Sequence, residues 1–474
     1  MEKRIIFALN LIKMFSPANN LAIKLLDRYV YKSMMANRTQ LVTKKMAEER
    51  YYAVRSMYQG VSKNYCKGII KKQVVVKLVQ TLGKSVFMKS GPSKKARTGY
   101  FERNNLNPPG FVTISPTQKC NLRCTGCYAA SNPGTCATID WSTLDKLMHQ
   151  LHDIIGMRFF VISGGEPFLY ESCGHNLIDL AKKWDDSFFL VYTNGTHITK
   201  EIAQTLAECG NITPAISVEG YEEETDARRG KGVFKRILKA ISNLREAGVP
   251  FGMSVTATRT NVDLMKSYNF YDYYFEELGA SYMWVFQLMP IGRAVSAELM
   301  VTPEQRVELL TIQRDVLKNR KYFIADFWNS AVLSDGCIAC GRKSGYFYIN
   351  WDGNIMPCVF IPYYLDNIYQ LFKEGKTIED AMNSELFNAG RDLQTRLKYN
   401  NGKLGNLLMP CLFRDHHKDF TEILNNLKNF HCENTEAKEA YESGEYHETL
   451  QNFDIQLEKL TSNIWKEEFQ DQNH

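Results

Sequence analysis

Between residues 111 and 288 the chain repeats one unit six times: a short apolar run, a polar turn, then an amphipathic stretch. The apolar runs fall at 111–115, 159–163, 188–193, 214–218, 252–256 and 283–288. Among the intervening stretches, 142–155, 202–209, 235–247 and 268–278 carry apolar residues at helical spacing. Short apolar runs bounded by turn residues read as buried strands, and strands alternating with helices argue for a parallel sheet covered by helices. Such units close through right-handed crossovers. The predicted class is α/β, and in sheets of this kind ligands sit at the carboxyl ends of the strands.

The whole chain, 474 residues with 44% apolar content, has room for two or three packed domains. Residues 1–107 form a Lys-rich block with helical periodicity. Ile5, Ile6, Leu9, Ile12 and Met14 share a face up to Pro17, and Asn20 can cap a second helix holding Ile23, Leu26 and Val30. Residues 69–88 read as an amphipathic helix with Lys71, Lys72, Lys77 and Lys84. Ser90-Gly-Pro-Ser-Lys-Lys reads as a linker, and Asn107-Pro-Pro-Gly closes the block. The expected plan is then a core at 108–305, a helical linker at 306–331, a cysteine-containing region at 332–430 and an acidic tail at 431–474. From Glu433 onward the tail has 11 acidic and 3 basic residues, and it reads as a solvated helix or a frayed terminus. The first residues resemble a secretory signal only faintly, because no small-x-small cleavage site follows them. No run of about 18 uncharged apolar residues is present, so no membrane span is expected.

Charge divides the chain. Residues 1–100 hold 21 Lys/Arg and 4 Asp/Glu, a net +17, while the remainder holds 37 basic and 48 acidic residues, a net −11. A basic block ahead of an acidic body points to an anionic partner, such as a membrane surface, a nucleic acid or an acidic carrier. The block has no recognised nucleic-acid motif, which disfavours the second.

Twelve cysteines are present, and Cys120, Cys124 and Cys127 sit within eight residues directly after the first predicted strand. That crowding suits a shared metal better than three separate disulfides, and it places the chain in a reducing, cytoplasmic compartment. Three thiolates on one loop can hold three corners of a four-iron cube and leave one iron open, as a catalytic site requires. Zinc is the competing reading, but zinc sites usually bring paired CxxC units or histidine.

With this triplet the sequence resembles the radical S-adenosylmethionine (SAM) superfamily, whose mark is CxxxCxxC after strand one of a partial (β/α)6 TIM-like barrel. Four more segments at successive predicted strand ends carry the resemblance. Ser163-Gly164-Gly165-Glu166-Pro167 follows strand two, where glycines admit a ligand close to the backbone. The resemblance implies that this segment meets the amino group of the methionine moiety. Tyr192-Thr193-Asn194-Gly195 follows strand three and Ser217-Val-Glu219-Gly follows strand four; both are expected at the ribose hydroxyls and the cofactor carboxylate. Arg228 and Arg229 come soon after and either pair with that carboxylate or form a surface pair. Gln287-Leu-Met289-Pro290-Ile-Gly292-Arg follows strand six and is expected along the adenine. One departure stands out: many members place an aromatic residue before the third cysteine, and here that residue is Gly126, with Tyr128 after the cysteine.

A second metal site is expected further on. Cys337-Ile-Ala-Cys340 precedes an alternating run at 346–350, a turn at Asp352-Gly353, and Cys358. Cys340, twelve residues, Gly353, four residues and Cys358 look like the opening of a SPASM domain. The dense CxxC series that normally follows is missing, leaving Cys411 and Cys432. This implies a twitch-like version with one auxiliary [4Fe-4S] cluster held by Cys337, Cys340, Cys358 and Cys411. Zinc or free buried thiols are the competing reading. Cys66, Cys136, Cys173 and Cys209 read as packing residues, and His416 and His417 as surface residues.

The resemblance implies an enzyme. A [4Fe-4S] cluster would cleave SAM reductively to a 5′-deoxyadenosyl radical, which abstracts hydrogen from a substrate. A reducing partner such as a flavodoxin or ferredoxin is expected. Peptides or proteins are the first substrate class. A lipid or isoprenoid at an anionic membrane surface, with the chain peripheral at the inner face, is the alternative that the basic block raises. A non-catalytic iron–sulfur scaffold is a third reading, disfavoured because the triplet and the GGEP segment are intact.

Overall fold

The computed structural model describes residues 20–36, 42–78, 80–83, 91–294, 297–400 and 403–470. The predicted helix ending at Pro17, the signal-like N-terminus and Lys84 lie outside the described residues.

All six apolar runs form strands, each within two residues of its predicted limits. They are β1 (Val112–Ile114), β2 (Phe159–Ile162), β3 (Phe188–Thr193), β4 (Ile212–Val218), β5 (Gly252–Ala257) and β6 (Met283–Gln287). They pair parallel in sequence order. Nearly every strand residue is buried, as a sheet covered on both faces demands. A seventh parallel strand, β7 (Ile324–Asp326), joins β6 from within the segment expected to be only a helical linker. Three residues are too few to show a period.

The helices start where sequence rules place them. The N-terminal block contributes α1 (Asn20–Ala36), α2 (Lys44–Cys66), α3 (Lys72–Leu78) and α4 (Pro92–Asn104). From Gly91 on, the supposed linker is the start of α4: Gly91 caps it and Pro92 takes the first turn, where a missing N–H costs nothing. The barrel helices include α5 (Trp141–His149), α6 (Leu177–Lys183), α7 (Lys200–Cys209), α8 (Glu222–Arg229), α9 (Val233–Ala247), α10 (Tyr268–Asp272) and α11 (Pro303–Asp315). In α9, Val233, Ile237, Ala240, Ile241 and Leu244 form the buried stripe, and each large apolar side chain stabilises the core by about 1.5–3 kcal/mol. α11 opens with a capping box between Thr302 and Gln305.

The cysteine-containing region is built onto the same sheet. β8 (Tyr348–Ile349) pairs parallel with β1, turns through Trp351-Asp352-Gly353 into antiparallel β9 (Asn354–Met356), and β10 (Asp366–Asn367) follows. The sheet order is β10-β9-β8-β1-β2-β3-β4-β5-β6-β7. Behind it lie α12 (Glu385–Lys398) and α13 (Gly444–Trp465). Up to Gln470 the acidic tail is helical and packed on the body, not solvated throughout. In α13, Tyr446, Leu450, Phe453, Leu457 and Trp465 are buried, while Glu445, Glu448 and Glu458 are exposed and Asp454 turns inward to the His417 N–H. No helix among the described residues is long and apolar enough to cross a membrane.

Candidate active site and auxiliary metal centre

The loop after β1 carries the triplet to one end of a cavity of about 610 Å³. Cys120, Cys124 and Cys127 all line it, together with Gly164, Gly165, Thr193, Asn194, Ser217, Arg228, Arg229 and Met289. These residues come from the carboxyl ends of β1, β2, β3, β4 and β6, and from α8. Burial pushes the Cys120 thiol up to about 12, against the Leu122 N–H, and it also raises the Cys124 thiol, against Arg229. No three His, Cys, Asp or Glu among the described residues converge tightly enough for a single metal ion.

The cysteine loop is braced from three sides. Asn194 Nδ2 donates to Asn121 Oδ1 at 2.9 Å and faces Cys120 Sγ at 3.9 Å. Arg228 donates to the Thr125 and Gly126 carbonyls, and its own carbonyl accepts from the Thr125 N–H. Arg293 donates to the carbonyls of Cys124, Ala130 and Ser131 at 2.6–2.8 Å. Arg293 was missed in the sequence; its signal was its place directly after Gly292.

Five nominated residues stand behind the cavity wall and not on it: Glu166, Pro167, Glu219, Pro290 and Gly292. The Glu166 carboxylate is fully buried and accepts from the Thr193 hydroxyl (2.7 Å), the Asn194 N–H (2.8 Å) and the Phe168 N–H (3.2 Å). It ties the end of β2 to the end of β3, and burial still pushes its pKa up against those donors. A side chain at Gly165 would collide with the carbonyls of Gln118 and Lys119, so the glycine lets the two loops touch. Gly292 likewise packs on the Cys127 and Tyr128 carbonyls with φ +60°. Arg228 and Arg229 are not a surface pair, since both bond the buried Glu219 carboxylate, at 2.6 Å. The second oxygen of Glu219, Oε2, has no hydrogen-bond partner among the described residues.

The departure at Gly126 has a physical reason. Its φ is +65°, a conformation that side chains rarely adopt, and a Cβ there would press on Leu288 Cδ1 at 3.0 Å. Tyr128 turns instead to the GGE loop, with its hydroxyl 2.7 Å from Ser163 Oγ and accepting from the Gly164 N–H at 3.1 Å.

In the second site the β8–β9 hairpin does bring Cys340 and Cys358 together, with the Cys340 N–H donating to the Pro357 carbonyl at 2.9 Å. Cys337 is close enough to Cys340, Cys358 and Cys411 to raise the pKa of each thiol, although burial is the larger cause in every case. Cys411 sits in a turn closed by the buried Asp415, which takes a two-pronged bond from Arg306 at 2.6 and 2.9 Å. Cys432 lies apart, on a short strand beside Tyr363. The cavity and this site meet at Tyr346, which lines the cavity and places its hydroxyl 2.9 Å from Cys358 Sγ.

A profile of the Radical SAM superfamily matches residues 114–270, and SPASM, an iron–sulfur cluster-binding domain, matches 340–405. The mycofactocin maturase MftC of Mycobacterium tuberculosis is 30% identical over 322 residues, 62% of this chain and 75% of its own. The chain belongs to the radical SAM superfamily. An AdoMet-dependent heme synthase of Methanosarcina barkeri is 27% identical over 317 residues, 60% of this radical SAM protein and 86% of the relative. Streptococcus suis SuiB bound to S-adenosylmethionine shares the fold, with TM-score 0.54 at 16% identity, covering 79% of this chain and 90% of SuiB. The radical SAM protein is thus an enzyme with a TIM-like α/β core and a SPASM region. Its cofactors are a [4Fe-4S] cluster, S-adenosylmethionine and auxiliary iron–sulfur chemistry. The residues fit these groups: three thiols on one cavity wall, two glycines on the same wall, and a separate set of buried and half-buried thiols at the hairpin.

Other expectations need correction. Among the described residues, which include all twelve cysteines, none is in a disulfide. Only Cys209 of the four supposed packing cysteines is buried; Cys66, Cys136 and Cys173 are exposed at helix ends and loops. His417 is buried, bonded to the Phe413 carbonyl and to His447, and His416 bonds the Met409 carbonyl. His417 is therefore not a surface histidine, while His416 is half-buried. A buried polar chain also went unread: Gln287 on the cavity wall donates to Asp326 (3.2 Å) and accepts from Arg414 (3.0 Å).

Proposed function

We propose that the enzyme removes a hydrogen atom from a peptide substrate held in the far half of the cavity. Cys120, Cys124 and Cys127 hold the cluster, and the Gly164–Gly165 backbone, Thr193, Asn194, Ser217, Arg229 and Met289 receive S-adenosylmethionine. Glu166, Pro167, Glu219, Pro290 and Gly292 set those residues in place from behind. Bound there, the pair supplies a 5′-deoxyadenosyl radical by reductive cleavage. The chain's own residues orient the substrate and keep water out. Cys337, Cys340, Cys358 and Cys411 hold one auxiliary cluster, and an electron carrier of the flavodoxin or ferredoxin kind supplies reducing equivalents.

The carrying observation is that a single cavity is lined both by the triplet with Gly164 and Gly165 and by strand residues such as Val161, Leu190, Ser254 and Trp284. The peptide assignment draws on MftC, a maturase, and on SuiB, which shares this fold and is known bound to its precursor peptide SuiA. A second reading, a lipid or isoprenoid taken from an anionic membrane by a peripheral enzyme, draws on the +17 charge of residues 1–100. The test uses producing cells grown in heavy water and fractionated into peptides and lipids. The loaded enzyme is given each fraction with unlabelled S-adenosylmethionine. Deuterium in 5′-deoxyadenosine from the peptide fraction alone supports the first reading. Label from the lipid fraction alone supports the second and overturns the first.

A further inference from the structure

Arg50, Ala53, Val54 and Met57 line the cavity from α2. Their spacing of three, one and three residues makes them a single helical face. Met34 of α1 joins them. Met57 keeps 39% of its surface exposed, and that residue is on the cavity wall. Opposite stand Phe159, Tyr192, Trp284, Phe286, Phe323 and Phe327, which point into the barrel and are only partly buried. Their strand neighbours Phe160, Val191, Val285 and Ile324 are fully buried. Inward aromatic side chains with surface to spare define a chamber that the described residues do not fill.

This wall is built in. α2 is anchored along its length: Glu49 pairs with Arg314 at 2.9 Å, Arg55 donates to the Leu317 carbonyl at 3.1 Å, and Asn64 donates to the Gly279 carbonyl at 2.9 Å. α1 is tied to it by Tyr58 and Asp27 at 2.5 Å. The charged residues on the cavity wall are already engaged. Arg50 pairs with Asp335 and the Val332 carbonyl. Asp326 accepts from Gln287, Gln313 and the Trp328 and Asn329 N–H groups. Arg228 and Arg229 hold Glu219. An inserted charge would find no free charged partner among the described residues of the wall, while an apolar group would gain by burial.

We infer that this half of the chamber is the site for the substrate's side chain, that it takes a bulky uncharged aliphatic or aromatic residue, and that the α2 face selects it. The inference rests on the peptide reading above and names the residue class within it. It also gives the N-terminal helices a role as the selecting wall of the substrate site.

The test is calorimetric titration of the cluster-loaded enzyme, with S-adenosylmethionine present. The probes are Gly-Gly-Xaa-Gly-Gly amides in which Xaa is Leu, Phe, Ser or Lys, with decyl phosphate as a lipid-like probe. The Leu and Phe peptides are expected to bind about tenfold tighter than the Ser and Lys peptides. Met57→Glu should erase that preference and Met57→Leu should keep it, with both variants matching the parent in thermal unfolding. Equal binding of the four peptides overturns the inference. So does a preference that survives Met57→Glu. Decyl phosphate bound by the parent but not by Met57→Glu, with no peptide bound, keeps the apolar site and overturns the peptide reading instead.

Discussion

Tyr346→Phe removes one hydroxyl and leaves the ring where it is, stacked on Phe111 at 5.0 Å and edge-on to Phe327 at 5.9 Å. That hydroxyl accepts from the Val359 N–H at 3.2 Å, so its own proton is directed to Cys358 Sγ at 2.9 Å. The Phe360 N–H is a weaker second donor to the same sulfur at 3.4 Å. Hydrogen bonds to cluster sulfurs stabilise the more negative, reduced state and raise the reduction potential. A hydrogen bond to a charged group contributes about 1.5–3 kcal/mol, and only part of that differs between oxidation states. A difference of about 1 kcal/mol corresponds to roughly 40 mV for one electron. The auxiliary cluster of Tyr346→Phe is therefore expected to titrate roughly 40 mV lower in a potentiometric titration followed by electron paramagnetic resonance. The radical SAM cluster is the internal control, because its donors at Cys120 are distant, at 3.5 and 3.9 Å, and untouched. An auxiliary potential that does not move, or two potentials that move together, would refute the assignment of Cys358 and the reasoning from its hydroxyl partner.

Three other outcomes follow from the same contacts. Gly390→Ala should place a methyl group against Cys340 Sγ, so the purified protein should lose auxiliary iron while still cleaving S-adenosylmethionine; full iron content would contradict this. Gly165→Ala should push the GGE loop off the Gln118 and Lys119 carbonyls and weaken S-adenosylmethionine binding by about tenfold or more, read by calorimetry, and unchanged affinity would be evidence against the cradle. Burial pushes the Asp454 carboxyl up to about 8, so the folded state holds a proton that the unfolded chain, with a pKa of about 4, gives up. Its stability contribution is thus lost as pH rises from about 4 to 8. Asp454→Asn should be more stable than the parent at pH 8, by at most about a few kcal/mol in denaturant unfolding, with the gap closing toward pH 4. A gap independent of pH would argue against the shift.

The barrel was legible because its strands announce themselves. Runs such as Phe-Phe-Leu-Val-Tyr-Thr at 188–193 have one solution in a covered parallel sheet, and the chemistry sits on the turns after them. The triplet and the GGEP segment were readable for the same reason. What the local pattern does not contain is which side of the wall a residue stands on. Glu166 reads as a ligand, yet its carboxylate is consumed by Thr193 and Asn194, about thirty residues on. The Arg50–Met57 face reads as an ordinary amphipathic stripe, because nothing local says that its partner is an unfilled chamber and not a packed core. The acidic tail misled through composition: its net charge hides the Leu450–Leu457–Trp465 stripe. β7 escaped because its pairing with β6 is a tertiary fact.

The central claim is tested most directly by anaerobic reconstitution with iron and sulfide, followed by an iron count and a 5′-deoxyadenosine assay with dithionite and S-adenosylmethionine. A radical SAM cluster and one auxiliary cluster predict about eight irons per chain. They also predict 5′-deoxyadenosine that disappears in Cys124→Ala, with about four irons retained there by Cys337, Cys340, Cys358 and Cys411. Zinc in place of iron, or 5′-deoxyadenosine that survives Cys124→Ala, would contradict the account.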